Sequence, residues 1–394
     1  MSVALEQSQQ PDITYIPDRA KWVDRTSKRL RTCPFLLSIP LPDGFPSKIH
    51  SPLVWEGKDW KNEAQWVFTL SSGHLKEIQS AVKHFKGLGL NFGFIDTKTF
   101  PLPQLGSELK VLARELHQGR GFFVLRGVPV DDYSKDDIVL VFAGISAYIA
   151  EKRALQDSNG GVLSHIKDLS NILPKGAIGG PAYTTVKQVF HTDLGCDVVA
   201  LFALQTSAEG GVSRISSTCR VYNELAEKRP DLIKTLAESW PFDRFGKDPP
   251  YDERPLLYYL DEHIILQYAR RYFTGYEALP RSSAIPPITE AQAEALDALH
   301  FLGEKFSLGL NFMKGDIQYI NNLSIFHARD GFRDTPENTR HLLRLWLRNE
   351  ELAWKLPDAL KPLWIERFAV EPRNQTFAIE PVVRNEVQGK GLKK

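Results

Sequence analysis

Short runs rich in β-branched, aromatic and leucine residues, separated by turn residues, dominate positions 188–348: VVALFALQ, GVSRIS, EHIILQY, DIQYINN and RHLLRLWLR. Strands of this length and spacing belong to a sandwich or barrel. Residues 222–239 and 289–307 depart from the pattern with apolar positions at a 3.6-residue period, which predicts two helical insertions. Upstream, HLKEIQSAVKHFKGLGL places Leu75, Ile78, Val82 and Phe85 at three- and four-residue steps before Gly87 and Gly89. This predicts an amphipathic helix that the glycines stop. GRGFFVLRGVPV, bounded by Gly119 and Pro129, predicts a buried strand, and residues 135–149 a helix that covers it. Residues 1–60 are rich in proline and charge, and the stretch from Pro40 to Pro46 excludes a regular helix or inner strand. They predict an arm that wraps the domain. No repeat or linker divides the rest, so residues 61–394 are expected to form a single domain, mainly β with flanking helices. Its jelly-roll core spans about 110–350.

Composition narrows the function. With 42% apolar residues, 394 positions bury a substantial core. A net charge of +1, from 49 basic and 48 acidic residues, gives no reason to expect nucleic acid, which leaves a small molecule as the expected partner. No apolar stretch approaches the roughly 20 residues of a membrane helix, and MSVALEQSQQPD lacks the blocks of a signal peptide. A cytoplasmic protein is expected, without membrane attachment and compatible with a homo-oligomer. Cys33, Cys196 and Cys219 are too few and too scattered for a disulfide framework or zinc knuckle.

The chemistry concentrates in two segments, VFHTDLG with His191 and Asp193, and FHARDGF with His327. Positions i and i+2 of an extended chain project to one side, so an imidazole and a carboxylate converge on one ion. A histidine from a distant strand completes the two-histidine, one-carboxylate facial set of non-haem iron(II) sites, whereas zinc normally takes a closed tetrahedron or a single open position. Each half alone has a plainer explanation. Asp193 also suits a turn cap, and His327 a core histidine bonded to a carbonyl.

Residues downstream of each half change the balance. Twenty-seven positions after His191 comes Thr218 in SSTCR, and thirteen after His327 comes Arg340 in RHLLRLWLR. A fixed guanidinium and a hydroxyl donor suit the far carboxylate of a dicarboxylate co-substrate. On a strand Arg340, Leu342, Arg344 and Trp346 share one face, with His341, Leu343 and Leu345 on the other. A solvated basic face opposite a leucine core face has the same pattern.

HTD, then GG-x-S-x-x-x-S-T over Gly210, Gly211, Ser213, Ser217 and Thr218, then NNLSIFHARDGF and R-x-x-x-R, together resemble the taurine dioxygenase and clavaminate synthase-like (TauD/TfdA-like) family. SHIKDL and GRGFFVLRGVP add likeness to its fungal-type members, over roughly residues 110–350. The resemblance implies a double-stranded β-helix of cupin-like form and an iron(II)- and 2-oxoglutarate-dependent dioxygenase. It implies iron ligands His191, Asp193 and His327, a co-substrate clamp of Thr218 and Arg340, and Arg344 at a position that contacts a substrate acid or assists the co-substrate. The implied reaction consumes O2 and 2-oxoglutarate, releases succinate and CO2, and hydroxylates, desaturates or cyclises the substrate. Arg344 points to an acid substrate such as an amino acid or secondary-metabolite acid. His165 is a further pocket candidate, Phe190 and Phe326 read as core, and Arg329 as either ion-paired near Asp330 or solvated. A zinc hydrolase with the same ligands, or a non-catalytic jelly-roll binder, remains open at this point.

Overall fold

The computed structural model describes residues 9–384 and 388. Two β-sheets face one another. The larger follows the order Val67–Thr69, Phe122–Arg126, Ile317–Asn321, Val198–Gln205, His341–Arg348, with Lys152–Arg153 and Leu163–Lys167 both paired to the far edge of His341–Arg348. The smaller runs Leu308–Leu310, Ser213–Ser217, Ile325–Arg329, Gln188–His191. This is the expected jelly roll of flanked double-stranded β-helix form.

Side-chain alternation distributes the core. From the His341–Arg348 strand, Leu343, Leu345 and Leu347 enter the layer beneath the helices Ser72–Leu88, Leu105–Gln118 and Lys135–Ser146. Trp346 instead joins Val199, Ile215, Ile320 and Ile325 between the sheets. Outside the small sheet, Phe190 and Phe326 meet at 5.1 Å under the Glu290–Phe306 helix, in the core as the sequence predicts. That helix lies inside the expected 289–307 insertion, capped by Thr289. The other insertion is split into Thr218–Lys228 and Pro230–Ala237, because proline ends the first helix and opens the second. EHIILQY stays outside both sheets, pairing as His263–Leu266 with Leu257–Leu260 in a separate hairpin.

Helices that were not expected include Leu105–Gln118, Lys361–Phe368 and, within residues 1–60, Arg19–Thr32. The last has almost no apolar stripe to reveal it. Asp18 caps it, and charge docks it: Arg25 donates to Asp297 at 2.7 Å and to Glu290 at 2.8 Å, while Arg29 pairs with Glu294. Asp297 also receives Arg270 at 2.7 Å, so one buried carboxylate joins this helix to the segment beside the functional site. Leu53 and Trp55 continue into the core. No helix among the described residues is long and apolar enough to cross a membrane.

Replacing one member of a buried ionic group strands its partners. Asp297→Ala, which leaves Arg270 with a buried uncompensated charge, is expected to lower unfolding free energy by about 3–5 kcal/mol, read from urea denaturation. Asp297→Asn, which keeps hydrogen-bond acceptance, is expected to cost less.

Candidate metal centre

The small sheet places the metal candidates. Ile325–Arg329 runs antiparallel to Gln188–His191, and its register sets His327 opposite His191. A register shift between His327 and Arg329 then places Arg329 opposite Gln188; irregularities of this kind re-aim side chains at such sites. The two rings lie 4.2 Å apart, and Asp193, just past the strand end, brings Oδ1 to 3.8 Å from His191 Nε2. One donor atom from each of His191, Asp193 and His327 lies within 4.8 Å of the others, and all three residues are buried. The structure thus brings together the three residues that the sequence singled out.

Their protonation suits a cation. His191 Nδ1 donates to the carbonyl of Val189 at 2.9 Å, which leaves Nε2 as a lone pair that takes a hydrogen bond from Gln188 Nε2 at 3.0 Å. Burial, reinforced by the neighbouring His191, pulls His327 down to about 3, so both imidazoles are neutral. Burial alone would raise Asp193, yet the Arg344 guanidinium, aided by the Trp346 hydrogen bond, outweighs it and keeps the carboxylate ionised. Two neutral imidazoles and one carboxylate, converging with open space beside them, fit a divalent iron.

A second set of side chains fixes Asp193. Arg344 Nη1 reaches both carboxylate oxygens at 3.0 and 3.2 Å, Trp346 Nε1 donates to Oδ2 at 2.7 Å, and Arg344 Nε is held by Gln156 Oε1 at 2.9 Å. Asn322 grips the Asp193 backbone through both its N–H and its C=O, at 2.8 and 2.6 Å. Gln156, Gln188 and Asn322 escaped the sequence reading, whereas the strand alternation had already put Trp346 on the face of Arg344.

Two small cavities meet at His191 and Arg344. One, of about 80 Å³, is lined by Asp193, Trp346 and Arg271; the other, of about 30 Å³, by His327, Ser213 and Arg340. Arg340 is 5% exposed, with Nη1 unbonded among the described residues, and burial together with the like charge of Arg329 lowers it to about 9. It therefore calls for an anionic ligand. The Gly-Gly turn makes room for it. At Gly211 (φ +69°) a Cβ would sit 3.3 Å from the Arg340 side chain.

Three expectations need correction. Thr218 does not reach Arg340. Ser213, at the other end of the same strand, lines the Arg340 cavity, and five extended residues separate the two by about 16 Å. Thr218 starts a helix instead, its N–H bonded to Ser324 O. His165 pairs in register with Leu343 and so points to the outer face, where Nδ1 meets His341 Nε2 at 2.7 Å and Nε2 meets Ala378 O at 2.8 Å. Its neighbour Ile166 faces the cavity. Arg329 is not solvated and has no ion pair among the described residues: it is buried and donates to the carbonyls of Thr184 (3.0 Å), Pro181 (3.3 Å) and Val186, while Asp330 pairs with Arg214. Cys196 and Cys219 are buried, and burial raises both thiols, which leaves neither as a nucleophile.

The profile of the taurine catabolism dioxygenase TauD, TfdA family matches residues 84–346. The taurine hydroxylase-like protein SAT17 of Stachybotrys chartarum is 37% identical over 341 residues, 85% of this chain and 88% of that protein. FR-33289 synthase of Streptomyces rubellomurinus is 24% identical over 332 residues, 81% of this chain and 96% of that one. Among solved structures, the non-heme iron oxygenase OrfP in complex with Fe and alpha-ketoglutaric acid aligns with a TM-score of 0.54 at 15% identity, covering 72% of this chain and 94% of that chain. Asparagine oxygenase in complex with Fe(II), 2S,3S-3-hydroxyasparagine and succinate aligns with a TM-score of 0.53 at 16% identity, covering 72% and 93%. At these identities the structural likeness is one of fold.

Outer hydrogen bonds to a ligand typically change metal affinity by about 10–100-fold. Trp346→Phe, which removes the Nε1 bond to Asp193, is expected to weaken cobalt(II) binding within that range of about 10–100-fold. His327→Ala is expected to abolish it, both followed by absorbance titration.

Proposed function

The chain belongs to the taurine catabolism dioxygenase TauD, TfdA family and is an iron(II)- and 2-oxoglutarate-dependent dioxygenase, and on that premise we propose how its residues divide the work. His191, Asp193 and His327 hold the iron. Arg340 takes the far carboxylate of 2-oxoglutarate, with Ser213 rather than Thr218 as the hydroxyl beside it. The observation that carries this reading is the buried Arg340 guanidinium, within a cavity that His327 also lines and with no carboxylate bonded to it among the described residues. Iron(II), when bound, supplies the redox centre at which 2-oxoglutarate and dioxygen react with a C–H bond of the substrate.

The chain's own side chains orient the site. Arg344 holds Asp193 in its ionised form, and its buried Nη2, which makes no hydrogen bond among the described residues, is placed to donate to a co-substrate oxygen. Trp346 keeps the carboxylate from rotating, and Asn322 fixes the backbone that carries it. The substrate is a small organic acid, such as an amino acid or a secondary-metabolite acid, that is hydroxylated, desaturated or cyclised with release of succinate and CO2. A zinc hydrolase would have no use for Arg340, and a relic binder would have no reason to keep the whole Asp193 support intact.

Anaerobic titration of the iron-loaded protein with 2-oxoglutarate, followed by its charge-transfer absorption, tests the assignment. Arg340→Met is expected to weaken binding by at least about 30-fold, as for other buried charge partners, and to suppress succinate formation. Ser213→Ala is expected to weaken it less, and Thr218→Val to leave it unchanged. Loss in Thr218→Val with Arg340→Met intact would reverse the assignment.

A further inference from the structure

Beyond the iron-side cavity lies a larger one of about 590 Å³, built by the Trp240–Asp243/Tyr251–Arg254 hairpin, the Arg271–Thr274 turn and the Lys361–Phe368 helix. Leu194, Arg271, Tyr272 and Arg367 line both, so the two are continuous. Their sizes differ in kind. About 80 Å³ beside the ligands admits one arm of a molecule, whereas 590 Å³ lies within the roughly 300–1,000 Å³ of sites for drug-sized ligands.

Charge at the junction selects what enters. Arg344 is already matched by Asp193, Arg367 bonds Leu155 O, and Arg384 bonds Gln156 O. In the outer chamber Arg244 and Arg254 share Asp252, at 3.7 and 3.9 Å. Arg271 differs from all of these. Its guanidinium lies 4.7 Å from the Phe245 ring centroid and 5.0 Å from that of Tyr272, its Nη1 is buried without a hydrogen bond, and it forms no ion pair among the described residues. A cation braced by two rings, with a donor unused at the mouth of the reacting chamber, is pre-organised for an anion.

We infer that Arg271 anchors the substrate's acid group and that the substrate is an elongated organic acid whose body occupies the 590 Å³ chamber while its oxidised carbon reaches the iron side. This rests on the dioxygenase reading above and deepens it. It gives acid recognition to Arg271 and, within the small organic acids named there, selects the elongated ones.

The test uses the full chain and the variants Arg271→Met and Arg271→Lys, loaded with iron(II) and 2-oxoglutarate under argon. Each is titrated calorimetrically with straight-chain alkanesulfonates from ethanesulfonate to octanesulfonate, and with the matching primary alcohols. Sulfonates are expected to bind the unaltered protein more tightly as the chain lengthens, and the alcohols at least about tenfold more weakly. Arg271→Met is expected to lose about 10- to 100-fold of sulfonate affinity, with Arg271→Lys between the two. Should Arg271→Met fail to fold, as judged by circular dichroism, the fall in Arg271→Lys carries the test. Sulfonate affinity equal in all three proteins, or undetectable in the unaltered one, overturns the anchor; affinity independent of chain length overturns the outer chamber. The charge-transfer absorption of the unaltered protein reports the underlying reading separately. If that absorption is absent, the iron and co-substrate assignment falls, while an Arg271-dependent sulfonate affinity still supports the anchor.

Discussion

Everything at this site depends on a register. His191 and His327 are distant in the chain, and only the antiparallel pairing of Gln188–His191 with Ile325–Arg329 sets them across from one another. The side-chain period of a strand is two, so a slip of one residue would send His327 outward and draw Phe326 in. The small sheet is guarded against that slip from behind, where Phe190 and Phe326 pack together beneath the Glu290–Phe306 helix. Burial of two aromatic rings on one face thereby fixes the placement of two imidazoles on the other. Metal geometry is here a by-product of hydrophobic packing.

Around that register the protein gathers buried positive charge. Arg329, Arg340 and Arg344 are each at most 5% exposed, and each meets the cost of burial differently. Arg329 donates through Nη2 to carbonyl oxygens, Arg344 pairs with the Asp193 carboxylate, and Arg340 meets no anion among the described residues. Desolvation lowers Arg329 to about 10 and Arg340 to about 9, so both remain cations at neutral pH. Of the three, Arg340 alone has neither an acid nor a carbonyl bonded to its guanidinium among the described residues, and a buried charge without a partner is costly unless an anion meets it.

Much of this was legible in the sequence where periodicity carries the information. The alternation in RHLLRLWLR correctly separated the leucine core face from the Arg344 and Trp346 face, and the HTD tripeptide with the distant FHAR found the three convergent residues. Thr218 failed because counting along a motif does not say which hydroxyl of a strand lies at which end. Ser213 was in the same motif and five residues nearer the cavity. His165 failed by parity, since a one-residue shift along a strand changes the face. The Arg19–Thr32 helix left almost no apolar signature because charge mostly holds it, with Trp22 stacked on Phe301, and Gln156, Asn322 and Arg271 meet partners more than fifty residues away or line cavities that no local pattern encodes.

That charge-held helix also has a consequence in time. Arg25 and its partner Asp297 are 272 residues apart, and Arg29 and Glu294 are 265 apart. At a synthesis rate of about 5–20 residues per second, roughly 15 to 55 s pass between the emergence of the arginines and that of the acids they meet. During that interval a strongly basic segment leaves the ribosome with Asp12 to hold Lys21 but without the Glu290, Glu294 and Asp297 carboxylates that dock it. Its docking therefore waits until residue 297 has been made, and until then the wall that carries Arg270 is unbraced.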